Sequence, residues 1–218
     1  TPCMDQTILT KWQHIALTLV NQTPELKDFY LSGGTALAGF YLHHRFSNDL
    51  DFFTFQDPDP ILVEHTATQI GQMLGTSLRY EKLHDRRLFF FEKDGDELKI
   101  EFSRYPFEPL EPVHITEGVR VDSLRDIAAN KLAALLDRFD PKDFVDLYFL
   151  LRDRTLDQIH QDTQKKFSLT ISPLFLGSEL SKVKRIEALP RMVKPLTVEE
   201  LRAFFTEQAK KLMPSVLD

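Results

Sequence analysis

The chain has 218 residues and a formal net charge of −6 at pH 7. This acidic balance argues against a surface that is basic throughout and coats nucleic acid, and it leaves room for a local basic groove. A hydrophobic content of 42% is enough for a sizeable core, arranged as one domain or as a core domain with a helical one. The single cysteine, Cys3, excludes an internal disulfide framework.

Membrane attachment is not expected from the sequence. No apolar run reaches the roughly 18 residues of a membrane-spanning helix, and no basic segment followed by an apolar one occurs near Thr1. We therefore expect a soluble, cytoplasmic protein that has no membrane partner.

The first predicted elements are a helix and a short strand. Apolar residues at helical spacing predict a helix over 8–20 that packs against a sheet. Its predicted packing face comprises Ile8, Trp12, Ile15, Ala16 and Leu19. The aromatic and apolar residues 29–31 then predict a buried strand.

A glycine pair follows that strand at once. Gly33 and Gly34 allow backbone N–H groups to approach an anion closely, and Thr35 can open a helix behind them. The free N–H groups and the dipole of a helix N-terminus favour negative charge. A phosphate group therefore fits at this turn.

Two aspartates alternate with apolar residues shortly afterwards. On a strand, Asp49 and Asp51 face one side while Leu50 and Phe52 face the other. Two carboxylates this close repel each other unless a cation lies between them, and Mg²⁺ is a hard cation that also binds substrate phosphates. The alternative is a tight turn next to an exposed edge strand, but the Phe-rich flanks favour a buried strand.

The middle of the chain predicts a helix and then three strands. The helix covers 61–74 and ends at Gly75, and an Asp94-Gly95 turn joins the second and third strands as a hairpin. On the third strand Lys99 and Glu101 face away from the apolar residues, so Glu101 is expected on the sheet beside the acidic strand. The alternative is a solvated strand face on which Lys99 pairs with a neighbour.

Two helices with an embedded lysine come next. Asp122 or Ser123 caps the first helix, in which Lys131 falls inside the buried stripe. Such a lysine either extends its ammonium group to water or reaches a phosphate. Asp140-Pro141 starts the second helix, and antiparallel packing is expected to bring Asp146 close to Lys131, either as a structural ion pair or as part of a site.

The residues after 152 show no pattern that indicates chemistry. We predict a helical region, a mobile connector over 168–195, and a last helix that starts at a capping box on Thr197. Scattered basic residues in this part form either an RNA groove or a solvated surface. They are Lys165, Lys166, Lys182, Lys184, Arg185, Arg191 and Lys194.

Four segments together resemble a known family. They are Gly33-Gly34-Thr35, the stretch from His44-Arg45 through Ser47 to Asp49-Leu50-Asp51-Phe52, Lys131 within NKLAALLDR, and Lys142-Asp143-Phe144-Val145-Asp146-Leu147. These segments resemble the motifs of the AbiEii/AbiGii-type nucleotidyltransferase toxins, which belong to the DNA polymerase β-like nucleotidyltransferase superfamily. The resemblance spans about residues 30–150.

The resemblance implies a fold and a reaction. The implied fold is α+β, with a mixed-sheet polymerase β-like nucleotidyltransferase core over 1–121 and a C-terminal helical region over 122–218 that completes the cleft. The implied reaction moves a nucleoside monophosphate from an NTP to an acceptor hydroxyl on a tRNA end, another RNA or another cellular acceptor. The family also implies a toxin of a toxin–antitoxin or phage-defence system, with an antitoxin as a partner.

The resemblance also assigns roles to individual residues. The implied catalytic residues are Asp49, Asp51, Glu101, Lys131 and Asp146. The implied nucleotide-binding residues are Gly33, Gly34, Thr35, Arg45, Ser47 and Lys131. The implied ligands of Mg²⁺, the expected cofactor, are Asp49, Asp51 and Glu101.

Two other functions are compatible with parts of the pattern. One is a non-catalytic module of the same fold that binds a nucleotide or a protein. The other is a glycosyltransferase that uses Asp49-Leu50-Asp51 to hold a nucleotide sugar, which the closeness of the glycine turn disfavours. Intact Asp49, Asp51 and Lys131 favour the enzyme over the binding module.

Overall fold

The computed structural model describes residues 8–212. They form two compact units. The first unit takes the chain to residue 108 and adds 112–123, and the second comprises 109–111 and the chain from 124 onward.

A mixed sheet of seven strands forms the centre of the first unit. The strands are β1 (Tyr30–Ser32), β2 (Asp49–Thr54), β3 (Leu78–Leu83), β4 (Arg86–Lys93), β5 (Asp96–Arg104), β6 (His114–Thr116) and β7 (Val119–Val121). Their order in the sheet is β3-β4-β5-β2-β1-β7-β6. β2 runs antiparallel to β1 and parallel to β5, while β1 runs parallel to β7.

The central position of β2 confirms that the acidic strand is not an edge strand. Leu50 and Phe52 are buried on one face, whereas Asp49 and Asp51 on the other face are half-buried. Phe52 stacks on Phe102 of β5 at a centroid distance of 5.3 Å, and Phe89 of β4 packs edge-on against the same ring. The apolar core therefore fixes which face of the sheet carries the carboxylates.

Helix α1 (Lys11–Gln22) buries a face that shares only Ala16 with the predicted one. Its buried residues are Gln13, Ala16, Leu17 and Val20. Thr10 caps the helix and Gln13 completes a capping box, while the Gln13 side-chain amide donates to the Ser47 carbonyl at 2.7 Å. This buried polar residue rotates the packing stripe away from Trp12 and Ile15, which apolar periodicity alone had selected.

The helix that follows β1 begins at the glycine pair. Helix α2 (Gly33–Ala36) continues directly into a π-helical turn over Leu37–Leu42. A Cβ added at Gly39 in that turn would lie 2.8 Å from Leu9 Cδ2. The Tyr41 hydroxyl donates to the Asp122 carbonyl at 2.7 Å, and the Ser32 hydroxyl donates to the Asp122 carboxylate at the same distance. Both contacts tie the β1–α2 junction to the end of β7.

The predicted hairpin is confirmed. β4 and β5 pair antiparallel around Asp94 and Gly95, whose φ angles are +54° and +90°. Two positive φ angles define the two-residue turn that matches the twist of paired strands. Helix α3 (Pro60–Leu74) precedes these strands and ends at Gly75, as expected from the sequence.

The second unit is helical. It contains α4 (Leu124–Asp137), α5 (Pro141–Leu150), α6 (Leu156–Phe167), α7 (Pro173–Ser181) and α8 (Val198–Leu212). The predicted starts of two helices are confirmed, since Asp140 caps α5 with Pro141 in its first turn and Thr197 exchanges capping hydrogen bonds with Glu200. No helix within 8–212 is long and apolar enough to cross a membrane.

Two features of the second unit differ from expectation. The stretch expected as a connector contains α7, which the Ser172 hydroxyl caps by accepting from the Phe175 N–H. Lys166, expected among the scattered basic residues, is buried on α6 and lies 2.7 Å from the Asp126 carboxylate. Asp126 also accepts the backbone N–H groups of Leu110 and Glu111, which explains why 109–111 belongs to this unit.

Candidate active site

The two aspartates of β2 lie beside the glycine turn. Asp51 is paired in register with Ser32, the last residue of β1, so its side chain stands next to the start of α2. Asp49 lies one row further along the same face, and its Oδ2 is 3.2 Å from the Lys99 ammonium of β5. Both carboxylates are half-buried and remain accessible.

Gly33 and Gly34 are required by close contacts. Gly33 has φ +71°, and a Cβ there would overlap Asp51 Oδ2. A Cβ on Gly34 would lie 2.5 Å from Arg45 Nη2 and 3.3 Å from Ser47 Oγ. The structure therefore brings five of the predicted site residues into one place around the turn.

Two predicted nucleotide-binding side chains are buried beneath this turn. The Thr35 hydroxyl donates to the Asp49 carbonyl, and Thr35 is only 1% exposed. Arg45 is 2% exposed and donates from Nη1 to the Phe46 carbonyl at 2.9 Å. These side chains position the turn and the acidic strand, and Arg45 adds a positive charge beneath them.

Glu101 lies directly opposite Asp51 on β5, as expected. Arg86 donates to both of its carboxylate oxygens, from Nε at 2.6 Å and from Nη2 at 2.5 Å, and the Ser103 hydroxyl donates to Oε1 at 2.5 Å. Burial by itself raises the pKa of Glu101, but the hydrogen bonds from Arg86 and Ser103 and the charges of Arg86 and Lys99 outweigh it, so the pKa is lowered. Glu101 is therefore a carboxylate held by an arginine.

Arg86 is not among the residues predicted from the sequence. Its side chain is about half exposed, and its pKa is raised by the hydrogen bond to Glu101 against the effect of burial, with further contributions from the charges of Glu101 and Asp51. The hairpin turn contained the necessary signal. If strand pairs are counted back from the Asp94-Gly95 turn, Arg86 lies opposite Ser103. Ser103 is on the same face of β5 as Glu101, two residues away.

The carboxylates fit a magnesium ion only in part. Within 8–212, no group of three or more His, Cys, Asp or Glu side chains is arranged to hold a metal ion. Asp49 and Asp51 are accessible and lie on one face, and Mg²⁺ commonly takes one or two carboxylates together with water and substrate phosphates. Glu101 would join them only if Arg86 released at least one of its oxygens.

A cavity of about 170 Å³ adjoins Asp49. Its walls come from the starts of β2 and β5 and the end of β4. They are formed by Asn48, Asp49, Phe90, Phe91, Glu92, Glu97, Leu98 and Lys99. A larger cavity of about 290 Å³ lies between α1 and the β6–β7 turn, and none of the predicted site residues lines it.

Lys131 and Asp146 meet in the second unit, as predicted. The Lys131 ammonium lies 2.6 Å from Asp146 Oδ2, and only 9% of the lysine side chain is exposed. Asp143, which lies three residues before Asp146 on the same side of α5, is a second partner at 3.0 Å, and it also binds Arg138 Nε at 3.1 Å. Both aspartate side chains are fully buried, so two carboxylates compensate two cations in this cluster.

The fold is similar to those of two solved structures. JHP933 from Helicobacter pylori is similar over 93% of this chain and 89% of its own, with a TM-score of 0.60 and 24% identity. MenT4, a nucleotidyltransferase toxin from Mycobacterium tuberculosis H37Rv, is similar over 94% of this chain and 82% of its own, with a TM-score of 0.55 and 17% identity. These two structures share the α+β fold with its mixed sheet.

The family is shown by the sequence. The model of the nucleotidyl transferase AbiEii toxin family, type IV toxin–antitoxin system, matches residues 17–215, and the chain belongs to this family. A relative from Aquifex aeolicus (strain VF5), the uncharacterized protein aq_aa25, is 31% identical over 94% of this chain and 98% of its own. The resemblance inferred from the motifs is thereby confirmed, and the family supports a nucleotidyltransferase.

Proposed function

We propose that this toxin transfers a nucleoside monophosphate from an NTP to an acceptor hydroxyl of RNA in a Mg²⁺-dependent reaction. The observation that supports it most is the contact between the glycine turn and the acidic strand, since a Cβ on Gly33 would overlap Asp51. An anion on the turn would lie beside the carboxylates that hold its counter-ion. This is the juxtaposition that a metal-bound triphosphate requires.

The turn is the proposed binding site for the β- and γ-phosphates. Backbone N–H groups at Gly33, Gly34 and Thr35 would donate to the phosphate oxygens. Ser47 lies at the same turn with its hydroxyl near Gly34, and the buried Arg45 supplies positive charge from below. Arg45 therefore acts through the local potential rather than through a direct fork on the phosphates.

The proposed reaction is an in-line displacement. The oxygen of the acceptor hydroxyl bonds to the α-phosphorus, the bond to the bridging oxygen of the β-phosphate breaks, and pyrophosphate leaves with the electron pair. Asp49 and Asp51 would hold Mg²⁺, which stabilises charge on the attacking and leaving oxygens. Glu101 is the candidate to accept the hydroxyl proton or to join the metal ligands, and either role requires Arg86 to turn away.

Lys131 and Asp146 carry a second part of the proposal, which derives from the family motifs. Lys131 is proposed to neutralise charge on the leaving pyrophosphate, with Asp146 orienting its ammonium group. The short contact of 2.6 Å between them is compatible with such an orienting role. The same contact also suits a purely structural ion pair, so kinetics must separate the two.

The biological setting is proposed from the family. Its members are toxins of type IV toxin–antitoxin systems, so we propose an antitoxin as a partner and a tRNA end or another cellular RNA as the acceptor. Both NTPs and RNA are cytoplasmic substrates. The enzyme is therefore proposed to act in the cytoplasm.

Labelled nucleotides test the reaction directly. The full chain is incubated with each α-labelled NTP, Mg²⁺ and total cellular RNA, alongside Asp49→Asn, Asp51→Asn and the control Asp85→Asn in an exposed turn. We expect label in RNA with the wild type and the control but not with the two site variants, because each site variant loses a metal ligand. Undiminished Mg²⁺-dependent labelling by either site variant would remove the proposed site.

Nucleotide binding provides a second measurement. Mg²⁺ is expected to raise NTP affinity in the wild type but not in Asp51→Asn, as followed by calorimetric titration. Superimposable titrations of the wild type with and without Mg²⁺ would contradict the metal requirement.

A further inference from the structure

The cavity beside Asp49 has no role in the mechanism described so far. It measures about 170 Å³ and opens next to one of the two reactive-site carboxylates. An engineered protein cavity of about 150 Å³ admits benzene, so this one has room for an aromatic ring. Its position and size suggest that it holds part of a substrate.

The walls of the cavity have the chemistry of a base-binding pocket. Phe90 contributes an aromatic ring, and the Arg79 guanidinium lies over the same ring at 3.9 Å from its centroid. Asn48 donates from Nδ2 to Glu97 Oε1 at 3.3 Å, which places an amide and a carboxylate at the rim. Stacking surfaces and a few fixed polar groups are what single-stranded bases bind.

The order of the strands indicates which substrate the cavity holds. β2 lies between β1, which leads into the phosphate-binding turn, and β5, which contributes the cavity wall. An in-line displacement puts the leaving and attacking oxygens on opposite sides of the phosphorus. With pyrophosphate on the β1 side of the carboxylates, the attacking hydroxyl comes from the β5 side, where the cavity is.

The carboxylate at the rim adds a chemical preference. An ionised carboxylate only accepts hydrogen bonds, so Glu97 can pair with an exocyclic amino group but not with a carbonyl oxygen. Adenine and cytosine present such an amino group where uracil presents a carbonyl oxygen. The rim therefore suits an amino-bearing base.

We propose that the cavity is the subsite for the terminal base of a nucleic-acid acceptor and that Glu97 selects adenine and cytosine, which carry an amino group where uracil carries a carbonyl oxygen. The assignment rests on the proposed nucleotidyl transfer and names the residues that recognise its acceptor. Asn48 orients Glu97, the face of Phe90 that Arg79 does not cover stacks on the base, and Lys99 beside Asp49 offers a positive charge to the adjoining phosphate. These are binding and positioning roles.

The first test fills the cavity. Asn48→Phe places a ring at the rim, and Gln72→Phe places the same ring on an exposed face of α3 as a control. Transfer is measured with short RNA oligonucleotides that differ only in their last base, and KM is determined separately for RNA and for NTP. We expect Asn48→Phe to raise the KM for RNA by about tenfold or more, which is within the range of losing one stacked base, without changing the KM for NTP. The control should match the wild type.

The second test changes the rim carboxylate. Glu97→Gln should lower the wild-type preference for adenosine- and cytidine-ended RNA over uridine-ended RNA, while Glu64→Gln on α3 should retain it. A KM for RNA that Asn48→Phe leaves unchanged, or a rise confined to the KM for NTP, would overturn the assignment. So would a wild type that shows no preference among the last bases.

A binding measurement separates this inference from the proposed reaction. Fluorescence anisotropy follows the same labelled oligonucleotides on Asp51→Asn, with and without Asn48→Phe, where no turnover is needed. Absence of transfer in the wild type would refute the reaction. Weaker RNA binding on adding Asn48→Phe would still support the subsite, and equal binding by the two proteins would overturn it.

Discussion

Replacing Lys131 by methionine tests the buried charge cluster of the second unit. The substitution retains a long, flexible side chain of similar volume and removes the ammonium that lies 2.6 Å from Asp146 and 3.0 Å from Asp143. Two aspartate side chains with no exposed surface then share one fewer compensating cation. The variant is therefore expected to unfold more easily.

The magnitude follows from the partners that remain. Breaking a buried ion pair costs about 3–5 kcal/mol, and Arg138 stays 3.1 Å from Asp143, which favours the lower end of that range. A loss of about 3 kcal/mol lowers Tm by roughly 6–12 °C in a chain of this size. The double variant Lys131→Met/Asp146→Asn also loses one carboxylate. It should be more stable than Lys131→Met by at least about 1 kcal/mol, because the buried charges are again balanced.

Urea unfolding and thermal melting of the full chain measure both variants. A free energy of unfolding for Lys131→Met within about 1 kcal/mol of the wild-type value would refute the electrostatic reasoning. So would a double variant whose loss of stability equals the sum of the losses of the two single variants. Lys166→Met is the matched control. It removes another buried ammonium, 2.7 Å from Asp126, that has no proposed part in the reaction.

The same variants decide the catalytic role of the cluster. If Lys131 stabilises the transition state, Lys131→Met lowers kcat/KM of the folded protein by about a hundredfold or more, and Asp146→Asn lowers it less because the ammonium remains. Lys166→Met should leave kcat/KM unchanged at a temperature where it is folded. If Lys131→Met behaves like Lys166→Met in kinetics, the cluster is structural.

Three further results are expected. Gly33→Ala should lower the free energy of unfolding by about 1 kcal/mol or more beyond the effect of Gly95→Ala. Both glycines have a positive φ, but only at Gly33 would the new Cβ overlap a neighbour, Asp51. Equal urea midpoints for the two variants would contradict this. Asp51→Asn should have a Tm close to that of the wild type, because relief of the repulsion with Asp49 offsets the lost attraction to Arg86, and a clear drop in Tm would contradict this balance. Glu101 has a lowered pKa, so its contribution to stability is present above its ordinary value of about 4.5 and is lost as the pH falls through its pKa in the folded protein. Glu101→Gln should therefore be less stable than the wild type at neutral pH, and the difference should shrink in acid; a constant difference in urea midpoint between pH 7 and pH 3 would refute the linkage.

Local chemistry predicted the elements whose signals are local. The period-two pattern of β2, the Asp94-Gly95 turn and the Asp140-Pro141 helix start depend on residues a few positions apart, and all are present in the structure. The packing face of α1 could not be found in this way. Its orientation depends on the Gln13 amide meeting a carbonyl of the chain more than thirty residues later, at Ser47.

In the candidate site, too, the features set by nearby residues were predicted and those set by residues distant in sequence were not. Strand alternation and a short connection predicted that Asp49, Asp51 and the glycine turn lie close together, and they do so in the structure. The hydrogen bonds from Arg86 to Glu101 depend on the register of the β4–β5 hairpin. This register can be predicted only by counting the residue pairs from the Asp94-Gly95 turn. Helical periodicity places Asp143 and Asp146 on one side of α5, but it does not show that both carboxylates, rather than Asp146 alone, bind Lys131.

The topology of the sheet also has a consequence for synthesis of the protein. β2 is flanked by β1, which comes earlier in the chain, and by β5, which is made only after α3, β3 and β4. A nascent chain that already displays both aspartates of β2 therefore lacks the strand that supplies Glu101 and one wall of the cavity. Since strand pairs distant in sequence form late, the proposed carboxylate site cannot be assembled before Arg104 has left the ribosome. An antitoxin that bound the exposed edge of β2 during translation would meet the enzyme before it became active.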